Sequence, residues 1–242
     1  MIRNRGVGSW SVLLAAGLAV LCTACGRPTT GARPRAKGLV AYWKFDRKRG
    51  GKVKDSSGMG HHGRIFGAER IEGKQGRALS FARPNSRVVI PSSKGLQLGR
   101  AFSVECWIRP QDLSDGSRVI LSKNDEYTLR IDNPEEGSKL SFFVHAGAPA
   151  ATWEPRVSSQ DRPKLNVWQH VLASWSGSKL RIYVDGRLVG EQRRGGRPYP
   201  TPYPLIIGNW EYPSCHGIHF GGAIDELRIY NYARKPDEAP TR

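Results

Sequence analysis

The sequence predicts an all-β domain made of two packed antiparallel sheets, and three observations carry that prediction. From Leu39 onward, apolar and polar residues alternate over short runs. Gly, Pro, Asn, Asp and Ser separate the runs, and helical periods are almost absent. About ten strands of this kind cannot lie in one open sheet without curling, so they divide into two sheets packed face to face.

Leu39, Ala41, Trp43 and Phe45 fall on one face of a first strand. A short run follows at residues 88–90. Phe102, Val104, Cys106 and Ile108 share a face of the next strand, which Pro110 ends because it cannot donate to a ladder. Further runs lie at residues 118–122, 127–131, 140–145, 168–175, 205–208 and 223–230. Between them, residues 180–189 read Leu-Arg-Ile-Tyr-Val-Asp-Gly-Arg-Leu-Val, a hairpin whose Asp185-Gly186 pair suits a two-residue turn with positive φ. No repeat of solenoid or propeller length is present.

The chain has 242 residues, enough for one such domain and its attachments. Arg3 and Arg5 precede an apolar stretch over residues 12–22, then small residues Thr23 and Ala24, the order of a secretory signal. The stretch falls short of the roughly 20 apolar residues a spanning helix needs. Leu21-Cys22-Thr23-Ala24-Cys25-Gly26 resembles the lipobox of bacterial lipoproteins, with Cys22 standing where Leu is usual. That resemblance implies lipidation at Cys25. The expected organisation is a signal peptide over 1–24, a basic flexible tether over 25–37, the folded domain over 38–236 and a tail over 237–242.

With Cys22 removed and Cys25 acylated, Cys106 and Cys215 remain, a number that permits one disulfide in an oxidising compartment. A small buried thiol explains Cys106 equally well. The formal charge of +17 favours anionic surfaces and acidic polymers. It also describes a solvated basic surface with no specific partner. Nucleic acid is not expected, since no nucleic-acid-reading motif is present.

The strand runs carry a series of sequence blocks. They are Ala41-Tyr42-Trp43-Lys44-Phe45-Asp46, Asp55-Ser56-Ser57-Gly58, His61-His62-Gly63 and the Gly-Lys-Gln-Gly-Arg-Ala-Leu-Ser-Phe of residues 73–81. Residues 102–110, Trp168-Gln169-His170-Val171, Tyr183-Val184-Asp185-Gly186 and residues 220–230 complete the series. In this order the blocks resemble the laminin-G-like domains of bacterial surface proteins, within the concanavalin A-like lectin and glucanase superfamily. The resemblance implies a jelly-roll sandwich over nearly all of residues 39–236, and a structural Ca²⁺ held between the first strand and the last. The matching positions are Asp46 and Asp225, with Asp55 a weaker third, and Arg47 stands where relatives often have an acid. Turn and strand-end hydrogen bonds are the other reading of these aspartates.

Superfolds of this kind host sugar binding, adhesion and some glycosidases, so the sites must choose. A retaining glycosidase needs two carboxylates roughly 5 Å apart. The glucanase branch takes them from alternate residues of one strand, whereas Asp125-Glu126, Glu135-Glu136 and Asp225-Glu226 are adjacent pairs that point to opposite faces. Neither a nucleophile elbow nor a zinc-protease motif occurs. His170 reads as a sheet residue and His61 and His62 as structural, while Cys215, His216 and His219 lack a fourth zinc partner. Aromatics in loops, Trp153, Tyr199, Tyr203, Trp210 and Tyr212, are the candidate ligand-binding residues, because an exposed flat ring suits the apolar face of a pyranose. Packing on their own domain would account for them as well.

The expectation is therefore an exported, lipid-anchored, monomeric and non-catalytic module at the cell or outer membrane. Its partner would be a polysaccharide or other envelope component. Its first rival is a protein-adhesion or scaffold domain without sugar affinity, and its second a glycoside hydrolase with an unrecognised acid pair.

Overall fold

The computed structural model describes residues 37–146, 152–210 and 219–237. The segments expected as signal and tether, apart from Lys37, lie outside the described residues, as do Cys25, Tyr212 and Cys215. Sixteen strands run along the described chain: β1 Leu39–Trp43, β2 Lys52–Val53, β3 Gly63–Phe66, β4 Glu69–Glu72, β5 Arg77–Ser80, β6 Arg87–Ile90, β7 Phe102–Pro110 and β8 Arg118–Lys123. They continue as β9 Tyr127–Ile131, β10 Leu140–Val144, β11 Val157–Ser158, β12 Gln169–Trp175, β13 Lys179–Val184, β14 Arg187–Arg193, β15 Leu205–Ile207 and β16 Gly222–Tyr230. Only two short 3₁₀ turns interrupt them.

The strands form two eight-stranded antiparallel sheets in a jelly-roll sandwich. The first has the order β14-β13-β12-β7-β16-β5-β4, with β1 also pairing β16; the second has the order β11-β10-β9-β8-β15-β6-β3-β2. Hairpins keep some sequence neighbours in one sheet, as in β12-β13-β14 and β8-β9-β10, and the chain crosses between sheets elsewhere, as when β7 hands over to β8. Every sequence-predicted strand is present. The elements missed are the short β2, β3, β4, β5 and β11, too brief or too charged to show a two-residue period.

The core lies between the sheets. Val104, Cys106 and Ile108 of β7, Val171, Ala173 and Trp175 of β12, and Leu129 and Phe142 of the second sheet all join it. Phe102 meets Trp175 and Phe142 edge to face, both at 5.8 Å between ring centroids. These contacts fix the faces of the central strands, because alternate residues must point away from the core. Ser103, Glu105, Trp107 and Arg109 therefore stand on the outer face of β7.

The first strand differs in detail from expectation. The β1–β16 register shifts between Leu39 and Ala41, so Val40 enters the core and Leu39 does not. The strand ends at Trp43, and Phe45 reaches the core from the following loop through a left-handed φ of 61°. The hairpin turn is as predicted, with Asp185 at φ 49° and Gly186 at φ 80°. The two ends of the domain meet, for Asn231 N–H donates to Gly38 O and Leu39 faces Tyr230.

Candidate functional site

Beneath the site, β16 carries a bulge. Its register with β7 shifts between Asp225 and Arg228, where Glu226 takes a positive φ of 52°. The extra residue keeps Ile224, Leu227 and Ile229 in the core while presenting Asp225, Arg228 and Tyr230 outward. Register then sets Asp225 opposite Trp107 and Arg228 opposite Glu105, and on the other side of β7 His170 opposite Trp107. A row of charged and aromatic side chains results, crossing three strands of the outer face.

At one end of the row, Glu105 is only 1% exposed. Its Oε1 receives a 2.8 Å hydrogen bond from His170 Nε2, and Arg234 Nε lies 3.4 Å from Oε2. Burial works to raise the Glu105 pKa, but the His170 hydrogen bond and the charges of His170, Arg234 and Arg228 outweigh it and hold the carboxyl below its ordinary range. The Arg228 guanidinium lies 4.0 Å from the centre of the Tyr42 ring and pairs with Glu226, whose carboxylate also accepts from the Tyr42 hydroxyl. Both arginines are thereby fixed in place.

In the middle, the turn of residues 73–76 between β4 and β5 rests on Asp225. Gln75 N–H donates to Asp225 Oδ2 at 2.9 Å and Glu226 N–H to Oδ1 at 2.8 Å. Burial, the largest influence, still pushes Asp225 up to about 7. From that turn the Lys74 ammonium sits 4.5 Å from the centre of the Trp107 ring, which also meets the His170 ring at 5.2 Å. At the far end the Arg109 guanidinium lies 5.0 Å from the centre of the Trp168 ring.

Two open clefts flank the turn. One, of about 420 Å³, is lined by Glu105, Trp107, His170, Arg228 and Arg234. The other, of about 490 Å³, is lined by Glu72, Ser80, Arg109, Gln111 and Trp168. Together they form a groove with indole surface, cations and amide or hydroxyl groups along it, the mixture that fits a polar ring with apolar faces.

The aspartates expected at a cation site are divided. Asp46 and Asp225 approach the 73–76 turn from two sides: a Cβ on Gly76 would collide with Asp46 Oδ1, and one on Gly73 would come within 2.6 Å of Asp225 Oδ2. Asp46 Oδ1 accepts from Arg77 N–H at 3.0 Å. Asp55 stands apart, its oxygens accepting from Ser57 N–H, Ser57 Oγ and His61 N–H within its own loop and from Tyr42 N–H of β1. Two carboxylates on one turn are hard donors of the type calcium takes, and Ca²⁺ would draw the rest of its about six to eight oxygens from carbonyls and water. Among the described residues, no three His, Cys, Asp or Glu side chains gather at one point.

The loop aromatics also divide. Trp153 stacks on His145 at 4.7 Å and meets Phe143 edge-on at 6.4 Å. Ala146 bridges both to Thr152 and to Pro198, bringing the Trp153 loop beside the segment bearing Tyr199, which is 58% exposed. Tyr203 belongs to the same end, where its carbonyl accepts from Lys123 Nζ. Trp210 does not join them: neighbouring Asn209 Nδ2 donates to Ser86 O, past the other end of β15. Cys106 is buried on the core face, its thiol pKa raised by burial, and it has no disulfide partner among the described residues; Cys215 lies outside them.

Sequence reasoning did not single out Trp107, Trp168 or Arg109, and it read His170 as a satisfied sheet residue. His170 is indeed held by Glu105, but at the outer surface. The available signal was the alternation Glu105-Trp107-Arg109 opposite an apolar face.

Residues 83–239 match the model of a laminin-G family described as the concanavalin A-like lectin/glucanases superfamily. The chain is also similar in structure to domain 4 of AbnA, a GH43 extracellular arabinanase from Geobacillus stearothermophilus, in complex with arabinotriose. That similarity has a TM-score of 0.62 at 22% identity, over 84% of this chain and 97% of that one. The binding domain of Paraclostridial Mosquitocidal Protein 1 superposes with a TM-score of 0.61 at 14% identity, over 82% of this chain and 50% of that one. Trypanosoma rangeli sialidase in complex with sialic acid gives 0.58 at 15% identity, over 82% and 31%. Comparison with curated proteins finds no match.

Proposed function

The chain belongs to the concanavalin A-like lectin/glucanases superfamily, and from that premise we propose that it is a non-catalytic module that binds glycan in the groove across β7, β12 and β16. The observation that carries this reading is the pair of partly exposed indoles, Trp107 and Trp168, lining clefts on either side of the 73–76 turn. Arabinotriose in complex with the AbnA domain, 97% of which is covered by this chain, supports a sugar as the ligand.

The test is calorimetric titration of the full chain, solubilised in detergent, with arabinan, dextran and polygalacturonate, in calcium and then in chelator. Trp107→Ala and Trp168→Ala are expected to weaken binding by about tenfold or more, the usual cost of truncating an aromatic anchor. Trp153→Ala and Tyr199→Ala should leave it within about twofold. The reverse pattern moves the site to the loops, and no binding to any glycan favours the adhesion or scaffold reading. A fall in affinity in chelator would support calcium on Asp46 and Asp225.

One observation favours hydrolysis as a second reading. Glu105 and Asp225, on adjacent strands of one face, have pKa values displaced in opposite directions, the pattern of an acid and base pair. Both are committed to internal hydrogen bonds, which supports binding instead. Product release from the same glycans would reverse that assignment.

We further propose that the module is carried at the cell envelope by a lipid on Cys25. Cys25→Ser should move the protein from the membrane fraction to the soluble fraction; an unchanged distribution would reject the anchor.

A further inference from the structure

We infer that a second, separate site on this domain binds the acidic groups of a polyanionic glycan in the basic cleft beside the β2–β3 hairpin. The cleft, of about 340 Å³, is lined by Arg47, Lys52, Lys54, His62 and Arg64, with Pro91 among its apolar surface and no carboxylate in its wall. All four lysines and arginines are exposed, and among the described residues none of them forms an ion pair.

Pairing register makes this arrangement costly without an anion. Lys52 and Arg64 are direct cross-strand partners, and like charges in that relation destabilise a ladder. The hairpin holds them together all the same. Ile65 N–H donates to Gly51 O at 2.7 Å. Arg70 clamps the preceding loop, donating to Phe45 O at 2.6 Å, Gly50 O at 3.3 Å and Lys52 O at 3.0 Å. The nearby acids are engaged elsewhere, Asp46 with Arg77 N–H and Asp55 within its own loop. His62 Nδ1 accepts from Asp55 N–H, which leaves Nε2 as the protonated nitrogen of the neutral ring and a further donor. The backbone thus holds the four cations around one recess, where among the described residues none of them pairs with a carboxylate.

A recess of monosaccharide size suits a carboxylate, sulfate or phosphate group carried on a flexible polymer. A bilayer would instead meet charges that protrude together. The inference depends on the proposed function only in taking the partner to be a glycan, and the cleft shares no residue with the groove.

The experiment measures binding of polygalacturonate to the full chain over a range of salt concentrations, with arabinan as the neutral arm and vesicles of phosphatidylglycerol in phosphatidylcholine as the membrane arm. Lys52→Gln/Arg64→Gln removes two charges from the cleft, and Arg187→Gln/Arg193→Gln removes two from the exposed edge strand β14. The cleft variant is expected to lose about tenfold or more in polygalacturonate affinity and to flatten its salt slope by roughly one to two charges. The β14 variant should stay within about twofold, and arabinan binding should be unchanged in both. Equal losses in the two variants would assign the attraction to net charge. That result, no loss in the cleft variant, no polygalacturonate binding by the parent, or cleft-dependent binding of vesicles alone would each overturn the inference. Failure of the glycan reading itself would show separately, as absence of binding in the neutral arm and of any effect at Trp107 and Trp168. Relief of the Lys52–Arg64 repulsion should leave the cleft variant melting no lower than the parent, which checks that it is folded.

Discussion

Glu105 shows how one side chain ties stability to pH. Its carboxylate is buried, yet His170, Arg234 and Arg228 hold its pKa below the ordinary value of about 4.3. A depressed carboxyl stabilises the fold at pH above the unfolded pKa, and that contribution disappears as pH falls through the lower folded value. Denaturant unfolding at pH 5 and pH 3 should therefore show a smaller acid loss for Glu105→Gln than for the parent. An identical loss would mean that other carboxylates carry the acid limb. At this scale residue types were legible but their partners were not. Asp55 and Asp225 look alike in the chain, yet one accepts three bonds inside its own loop and a fourth from β1, and the other supports a turn from 150 residues away.

Among elements, those with local causes were legible. The Asp185-Gly186 hairpin follows from two adjacent residues, and β7 and β12 follow from alternation sustained over seven or more positions. β2 has two residues, and β4 reads Glu-Arg-Ile-Glu, so no period emerges in either. The groove was hidden for a related reason: Trp107 and Trp168 lie 61 positions apart and meet on one face through register, which composition does not encode. Close packing at element ends is equally invisible. Gly208, just after β15, has φ +79°, and a Cβ there would fall within the Phe81 ring. Gly208→Ala should lower stability by about 2–4 kcal/mol, from strain and overpacking together. Chemical denaturation measures the loss, and a change below about 0.5 kcal/mol would show that Phe81 can turn aside.

For the molecule as a whole, the order of the blocks made the sandwich readable, because a jelly roll sends successive strands to fixed places in two sheets. Net charge was readable as a sum but not as a distribution. Part of it is neutralised within the fold, as where Arg130 and Arg156 bridge Asp132 and Glu136. Part is gathered without a counter-charge, as at Lys52 and Arg64. The two proposed sites differ accordingly: one combines rings with balanced charge, and the other offers cations alone.

The pairing of β1 with β16 also sets how the domain resists force. Gly38 and Asn231 are bonded near the two ends of the domain, and beyond Asn231 the chain is still held to Ser103 through Tyr232 O and Arg234 N–H, so tension between the two ends would strip that segment and then break the β1–β16 bonds one after another, from Leu39 toward Trp43. Tension between the N-terminal side and a ligand held in the groove runs along β1 and loads all of its bonds to β16 at once. The same strand that peels under the first pull would resist the second in shear, which suits a module held at one end while it grips a polymer on its face.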